Sequence, residues 1–171
     1  MRSVLSSIAL IALTFACAPL LAEETAGILN ASTPAPGILF GGQPTAEQLE
    51  QLAAADYKTV IDLRLPDEDR GYDEAAAAKA AGMTYLAVPV KSDRLHEPAT
   101  LDRFIEVFSK VEKPVLVHCG VGSRVAAVYY AWLVAKEGMS RDEALARAKE
   151  HGLWSESLVA PVDVYLDRKG E

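Results

Sequence analysis

Cysteine is scarce in this chain of 171 residues, which contains only Cys17 and Cys119. Because Cys17 falls in a segment that we expect to be removed, the mature protein would keep Cys119 alone. A single thiol excludes both an internal disulfide and a Cys-x-x-Cys redox pair. In an oxidising compartment a lone thiol is a liability unless it is buried in the core or used in chemistry. The role of Cys119 is therefore the first question that this sequence poses.

Basic residues are also few, and no internal repeat occurs. The 17 Lys and Arg are outnumbered by 24 Asp and Glu, which gives a formal net charge of −7. This balance excludes a general nucleic-acid or anionic-membrane surface, although it is compatible with one local positive pocket. The apolar stretch at residues 4–16 is short for a helix that crosses a membrane, so we expect no membrane span in the mature form.

The amino terminus is typical of a secretory signal peptide, predicted to cover residues 1–22. Arg2 supplies the positive charge, residues 4–16 supply the apolar stretch, and Ala22 supplies the small residue before the cleavage point. The sequence thus predicts a periplasmic or secreted protein. Two alternatives stay open: an uncleaved anchor, and a lipoprotein attached through Cys17, although residues 14–16 make a poor lipidation signal.

The remaining chain predicts an exposed lead-in at 23–37, rich in Ala, Thr, Pro and Gly, and one domain at 38–171. That length suffices for one compact domain with a real core. The predicted strands are 38–40, 59–63, 84–90 and 115–117. The predicted helices begin at Thr45, Asp73, Thr100, Ser123 and Ser140, with a helical tail from 155 that is interrupted near Pro161. Strands alternating with helices predict an α/β fold with a mainly parallel central sheet flanked by helices.

The segment whose residue types could carry out chemistry is the turn after the apolar strand 115–117, which runs from Cys119 to Arg124. At a strand-to-helix turn the first amide N–H groups of the helix lack intrahelical partners, and with the helix dipole they favour an anion. Gly120 and Gly122 allow the backbone to bend so that these groups converge. The same field favours a thiolate at Cys119, and the guanidinium of Arg124 suits an oxyanion.

Each of these residues also has a purely structural explanation. Cys119 and His118 could be ordinary core residues, the two glycines could serve only a tight turn, and Arg124 could be a solvated helix residue. Taken together, a cysteine, a glycine-containing turn and an arginine after an apolar strand favour an anion-binding site with a reactive thiolate.

The stretch from Gly41 to Leu153 resembles the cysteine-based phosphatases of the dual-specificity and protein-tyrosine kind. It is similar in particular to the bacterial branch that includes the phosphatase-like domain of beta-lactamase-hydrolase-like proteins. The resemblance is carried by Gly41 to Pro44, Val60 to Arg64, Tyr85 to Pro89, His118 to Arg124, and more weakly by Gly138 to Ser140 with Glu143 and Ala144.

The resemblance implies that Cys119 attacks phosphorus and forms a cysteinyl-phosphate, with no metal or cofactor. The phosphate would be bound by the loop amides and by the arginine: Gly120, Val121, Gly122, Ser123 and Arg124. His118 would order the loop from behind. Asp93 would be the general acid, with His96 and Glu97 as neighbouring alternatives. The implied substrates are small phosphoesters or phosphoproteins; oligomeric state stays open.

Two departures from the family pattern keep other functions open. The loop has four residues between Cys119 and Arg124, one fewer than usual, and Val125 replaces the usual hydroxyl residue after the arginine. Ser123 is a candidate to replace that hydroxyl. The short spacing is also that of rhodanese-type sulfurtransferases, which carry a persulfide. Asp62 and Arg64 could line the pocket or form a structural pair. We therefore expect a phosphatase, with a sulfurtransferase and a non-catalytic oxyanion-binding module as alternatives.

Overall fold

The computed structural model describes residues 25–170. The predicted signal peptide at 1–22 and the lipidation alternative at Cys17 lie outside these residues. Five strands form one sheet: β1 (Ser32–Ala35), β2 (Ile38–Gly41), β3 (Thr59–Asp62), β4 (Thr84–Ala87) and β5 (Val115–His118). Their order is β1-β2-β5-β3-β4, in which β1 is antiparallel to β2 and the other neighbours are parallel. The predicted α/β class with a mainly parallel sheet is confirmed.

Six helices whose bounds lie within residues 25–170 surround the sheet: α1 (Ala46–Ala54), α2 (Glu74–Ala80), α3 (Pro98–Lys110), α4 (Ser123–Ala135), α5 (Arg141–Glu150) and α6 (Glu156–Gly170). A short 3₁₀ helix, Ser92–Arg94, lies between β4 and α3. Within residues 25–170, none of these helices combines the length and the apolar character needed to cross a membrane.

Local capping fixes where several helices begin. Thr45 and Gln48 form the predicted capping box of α1, each side chain accepting a hydrogen bond from the backbone of the other residue. The side chain of Asp73 accepts from Ala76 N at the start of α2, and that of Ser140 accepts from Glu143 N at the start of α5. Each cap satisfies an amide that the helix itself leaves without a partner.

The two faces of the sheet bury alternate residues of the same strands, as the two-residue period of a strand requires. Leu39, Val60 and Leu116 pack with α1 and α2 on one face. On the other face, the neighbouring residues Phe40, Ile61 and Val117, among others, pack with α3 to α6. The sheet is thus covered by helices on both sides, which explains why its central strands are almost uninterrupted apolar runs.

Several details differ from the sequence predictions. The strand predicted at 84–90 is shorter and ends at Ala87. The segment predicted as an exposed lead-in at 23–37 contains one buried residue, Ile28, and the edge strand β1, Ser32–Ala35. An edge position tolerates Pro34. Helix α3 begins at Pro98, before the predicted Thr100, since proline suits the first helical turn. Helix α6 continues through Pro161, with buried Val159 and Val162 anchoring it on either side.

The strand register brings the future site together. Gly41 of β2 and Asp62 of β3 both pair with His118, the last residue of β5. The carboxyl ends of three parallel strands therefore lie side by side, where open α/β sheets bind their ligands. Cys119 is the next residue after the central strand of the three.

Candidate active site

Cys119 sits at the turn from β5 into α4, with its side chain almost fully buried at 1% exposure. Its backbone N–H donates to Gly41 O at 3.3 Å, which ties the turn to β2. The backbone N–H of Gly122 donates to Cys119 Sγ at 3.1 Å. Gly122 precedes the first residue of α4, so this N–H belongs to the positive end of the helix. The turn therefore directs a helix dipole and a hydrogen bond at the sulfur.

The conformation of the turn depends on Gly122. Its φ is +95°, a value that residues with a side chain rarely adopt, although a Cβ there would make only an ordinary contact, 3.6 Å from the backbone of Gly41. Glycine adopts this φ without strain. Two carbonyls of the turn accept hydrogen bonds from outside it: Gly120 O from Gln43 N at 3.1 Å, and Val121 O from the side chain of Asn30 at 3.0 Å. The segments that contain Gln43 and Asn30 therefore fix the position of the turn from outside.

Arg124 lies in the first turn of α4 and is held by Glu68. Its Nη1 donates to Glu68 Oε1 at 2.6 Å and its Nη2 donates to Glu68 Oε2 at 2.7 Å, a two-pronged ion pair. Nη1 also donates to Val90 O at 3.2 Å and to Leu63 O at 3.4 Å. The guanidinium is therefore fixed in one plane by groups that follow β3 and β4.

Some N–H groups of Arg124 donate to protein acceptors, and the others are available to a ligand. A guanidinium has five N–H groups, and within residues 25–170 the bonds above use both on Nη1 and one on Nη2. The second Nη2–H and the Nε–H are left for Cys119 and for an oxyanion. Nη2 faces the turn, since a Cβ on Gly120 would lie 3.8 Å from it. The Nη2 edge of the guanidinium therefore faces the turn formed by residues 119–124, which we call the cradle.

Electrostatics couple Glu68, Arg124 and Cys119. Burial acts to lower the pKa of Arg124, but its hydrogen bonds to Glu68 and its electrostatic interaction with Cys119 outweigh that effect and raise the pKa above its usual value. The hydrogen bond from Arg124 lowers the pKa of Glu68 from 4.5 to about 2, against the opposing effect of burial. Both partners are therefore charged at neutral pH.

His118 lies behind the turn and is fully buried. Its Nε2 is 2.6 Å from Glu74 Oε1, and its Nδ1 is 3.4 Å from Cys119 O. Glu74 is also buried and accepts from the side chain of Gln43 at 2.8 Å. The imidazole is therefore part of a polar network beneath the cradle, on the side away from solvent.

Asp62, Glu74 and His118 are the residues in the described part of the chain whose types and spacing could hold a metal ion, with ligand atoms within 4.8 Å of one another. Their carboxylates already have protein donors. Arg70 approaches Asp62 Oδ2 at 2.7 Å, and Tyr85 OH donates to the same oxygen at 2.7 Å. Burial, with this hydrogen bond, raises the pKa of Tyr85 well above its usual value. We interpret the group as a buried polar network.

Asp62 and Arg64 belong to the same buried polar network beneath the turn. Asp62 Oδ1 accepts from Arg64 N at 2.7 Å. The guanidinium of Arg64 donates to the side chain of Gln43 and to the carbonyl of Asp69. Both residues are buried, so among the two roles considered for them the structure favours the structural one.

Asp93 lies in the 3₁₀ helix Ser92–Arg94, three residues after Val90, whose carbonyl contacts Arg124. Its side chain is 67% exposed and lies 3.3 Å from Lys91 Nζ. Glu97, the residue before α3, pairs with Arg94 at 3.5 Å. The loop that follows β4 thus reaches the site, and a carboxyl on it as general acid stays a prediction.

The sequence analysis missed Glu68 and Asn30. Glu68 follows β3, next to β5 in the sheet, and this position at the carboxyl end of a neighbouring strand is the signal that could have identified it. Asn30 lies in the segment that was interpreted as a lead-in, where the sequence contains no corresponding signal.

A parallel sheet whose central strand leads into a buried cysteine, a glycine-shaped turn and an arginine at the start of a helix defines the class of cysteine-based phosphatases. Comparison with known proteins supports this class. The family model described as "DSP-PTPase phosphatase fused to NAD+ Kinase" matches residues 23–159. The chain belongs to this family of dual-specificity and tyrosine phosphatase domains, and the resemblance noted from its motifs is confirmed.

Individual relatives agree with the family. A beta-lactamase hydrolase-like protein of Xylella fastidiosa is 34% identical over 119 residues, which cover 67% of this chain and 27% of that protein. The chain thus matches about a quarter of the length of this curated relative.

Solved structures share the fold. A DUF442 protein from Shewanella putrefaciens CN-32 superposes with a TM-score of 0.69 at 22% identity, covering 88% of this chain and 99% of the other. TpbA of P. aeruginosa gives a TM-score of 0.65 at 22% identity over 82% of this chain and 84% of TpbA.

Proposed function

We propose that this protein hydrolyses phosphomonoesters through a phosphorylated Cys119. The observation that carries the proposal is that the sulfur of Cys119 and the guanidinium of Arg124 lie at the same turn, each held by a hydrogen bond. Gly122 N–H donates to the sulfur at 3.1 Å, while Glu68 fixes Arg124 so that its remaining N–H donors face the cradle. A thiolate and an oxyanion-binding fork at one turn are the components that phosphoryl transfer to sulfur requires.

In the first step, the Cys119 thiolate attacks phosphorus, an S–P bond forms and the bond from phosphorus to the ester oxygen breaks. The departing oxygen takes a proton, for which Asp93 is the proposed donor. Arg124 and the amides of residues 120–124 bind the three non-bridging oxygens as their charge is redistributed.

In the second step, water attacks phosphorus, the S–P bond breaks and inorganic phosphate leaves. The carboxylate produced in the first step accepts the proton from water. Departure of the thiolate is assisted by Gly122 N–H and Arg124, since Val125 offers no hydroxyl at the position that follows the arginine. We expect this step to be slow relative to the first for that reason.

The proposed substrates are aryl or small phosphomonoesters, including phosphotyrosine-like groups. Two exposed apolar side chains, Leu29 and Val121, belong to segments that form the cradle and its support. An apolar rim favours an aromatic or apolar group next to the phosphate. In support, a serine variant of TpbA with the related fold was crystallised in complex with pTyr.

The test is hydrolysis of an aryl phosphate by the reduced protein from Glu23 onward, with Cys119→Ser as the control. We expect turnover without added metal, inhibition by vanadate, and no turnover in the serine variant. A folded, reduced wild-type protein that releases no phosphate would contradict the proposal.

Sulfur transfer is the second candidate, because the four-residue spacing between Cys119 and Arg124 gives a smaller cradle than most phosphatases have. It predicts that the Cys119 thiolate takes the outer sulfur of thiosulfate, breaking its S–S bond and releasing sulfite, to form a persulfide. Cyanide then accepts that sulfur as thiocyanate and regenerates the thiolate. It also predicts that Asp93→Asn has no effect. A non-catalytic module would bind vanadate, which would raise the melting temperature of the protein, and it would turn over neither the aryl phosphate nor thiosulfate.

We also propose that the protein is exported, on the basis of Arg2, the apolar residues 4–16 and Ala22. Expression of the full chain in a bacterial host should then yield a periplasmic product whose first residue is Glu23. A product that keeps residues 1–22 in the cytoplasm would contradict export. A lipid on Cys17 would replace the cleavage prediction with the lipoprotein alternative.

A further inference from the structure

Asn30 reaches the catalytic turn from a distant part of the chain. Its side-chain amide, Nδ2, donates to Val121 O at 3.0 Å across 91 residues of sequence. The backbone φ of Asn30 is +51°, a left-handed conformation that asparagine tolerates better than most residues. The preceding residue is anchored as well, since Gly42 N donates to Leu29 O at 2.7 Å. The segment is therefore fixed against the turn by its backbone and by one side chain.

The acceptor of this bond and the donor to the nucleophile belong to one peptide group. Val121 O and Gly122 N are the two ends of the Val121–Gly122 peptide, and Gly122 N donates to Cys119 Sγ at 3.1 Å. A trans peptide is planar, and its C=O and N–H point in opposite directions. A donor that fixes the carbonyl on the outside consequently directs the N–H inward at the sulfur. It also polarises the peptide and strengthens that hydrogen bond.

The neighbouring peptide is held by a different kind of group. Gly120 O accepts from the backbone N–H of Gln43 at 3.1 Å, a contact that every residue except proline could supply at that position. The contact to Val121 O, by contrast, comes from a side chain, the amide of Asn30. Residue 30 is therefore the position where a side-chain change can alter the orientation of the turn without touching the turn itself.

We propose that Asn30 is a positioning residue that holds the Val121–Gly122 peptide so that Gly122 N–H stabilises the Cys119 thiolate. Its effect on turnover rests on the proposed phosphatase function. Its effect on the thiolate does not, because the ionisation of Cys119 can be measured without any phosphate substrate.

Two substitutions separate the hydrogen bond from the backbone conformation. Asn30→Gly removes the amide and keeps the left-handed φ without strain. Asn30→Asp keeps the shape and places an oxygen acceptor against Val121 O, so it should have the larger effect. Asp56→Gly is the matched control, since Asp56 also has a positive φ, of +70°, and sits in the turn between α1 and β3.

The experiment measures the rate at which iodoacetamide alkylates Cys119 as a function of pH, with circular dichroism confirming that each variant is folded. We expect the midpoint of the profile to move to higher pH in Asn30→Gly and further in Asn30→Asp, with no change in Asp56→Gly. A hydrogen bond of ordinary strength predicts about a fivefold fall in kcat at neutral pH, with a smaller change in KM.

Superimposable alkylation profiles for wild type and a folded Asn30→Gly would overturn the proposal. If Asn30→Asp does not fold, Asn30→Gly decides the question alone. A shifted profile in a protein that hydrolyses no phosphate ester would support the role of Asn30 and contradict the phosphatase function. Normal hydrolysis with an unshifted profile would do the reverse.

Discussion

Replacing Glu68 with glutamine removes the charge that fixes Arg124 while keeping the size of the side chain. In the native protein both carboxylate oxygens of Glu68 accept from the guanidinium, at 2.6 and 2.7 Å. Glutamine can accept only one of these bonds and would place an N–H against the other arginine nitrogen. We expect the guanidinium to lose its fixed orientation toward the cradle.

The magnitude follows from the charge pair. The pKa of Glu68 falls from 4.5 to about 2, which corresponds to an upper bound of about 3 kcal/mol. The carboxylate is 29% exposed, so solvent screening reduces this value. An interaction of about 1–2 kcal/mol is consistent with charge-assisted hydrogen bonds at a partly exposed site. If the lost energy appears in the transition state, kcat/KM falls about tenfold.

The assay compares kcat and KM for an aryl phosphate in wild type, Glu68→Gln and Asp67→Asn. Asp67 is the adjacent exposed residue, and its substitution removes the same charge from the same loop. We expect Asp67→Asn to resemble wild type. Vanadate should bind Glu68→Gln more weakly than wild type, because the arginine fork is no longer fixed. Equal kcat/KM values in the two variants would refute the assignment of Glu68 as the residue that positions Arg124.

Three further predictions follow. The lowered pKa of Glu68 contributes stability that is complete above the pKa of about 4.5 in the unfolded chain and is lost as the pH falls through about 2. Chemical denaturation between pH 6 and 2 should therefore show an extra loss of unfolding free energy in wild type that is absent in Glu68→Gln. If Asp93 is the general acid, Asp93→Asn should lower kcat about hundredfold for an alkyl phosphate and less for an activated aryl phosphate, with KM little changed; equal rates for wild type and variant on both substrates would exclude that role. Gly122→Ala should destabilise the fold by about 1–3 kcal/mol and abolish turnover, because alanine is strained at a φ of +95° and would move the turn that holds Cys119. Gly71→Ala, at a φ of +72° with open space around it, should keep its activity in the same thermal-unfolding and turnover measurements.

Features that depend on neighbours in sequence could be predicted. The capping box at Thr45 and the strand at 115–117 are encoded within a few residues, and the structure contains both. The cradle is a continuous segment as well, so its cysteine and arginine could be found together. The strand β1 could not be predicted, because Pro34 disfavours a central strand and is permitted there by the edge position of β1.

The residues that support the cradle could not be predicted because their contacts cross the sheet. Glu68 is separated from Arg124 by 56 residues, and Asn30 is separated from Val121 by 91. Their placement follows from the order β2-β5-β3, in which the segments on either side of the central strand converge at its carboxyl end. A single sequence indicates that a parallel sheet forms, but the strand order decides which loops meet at the site.

The most direct test of the account is the mass of Cys119 after reaction. Reduced protein is mixed with an aryl phosphate, quenched in acid, and the peptide that contains Cys119 is analysed by mass spectrometry; a parallel sample receives thiosulfate. We predict that the first sample gains the mass of one phosphoryl group on Cys119, and that the adduct is absent in Cys119→Ser. An unmodified cysteine in the first sample, together with the gain of one sulfur atom in the second, would contradict phosphoryl transfer.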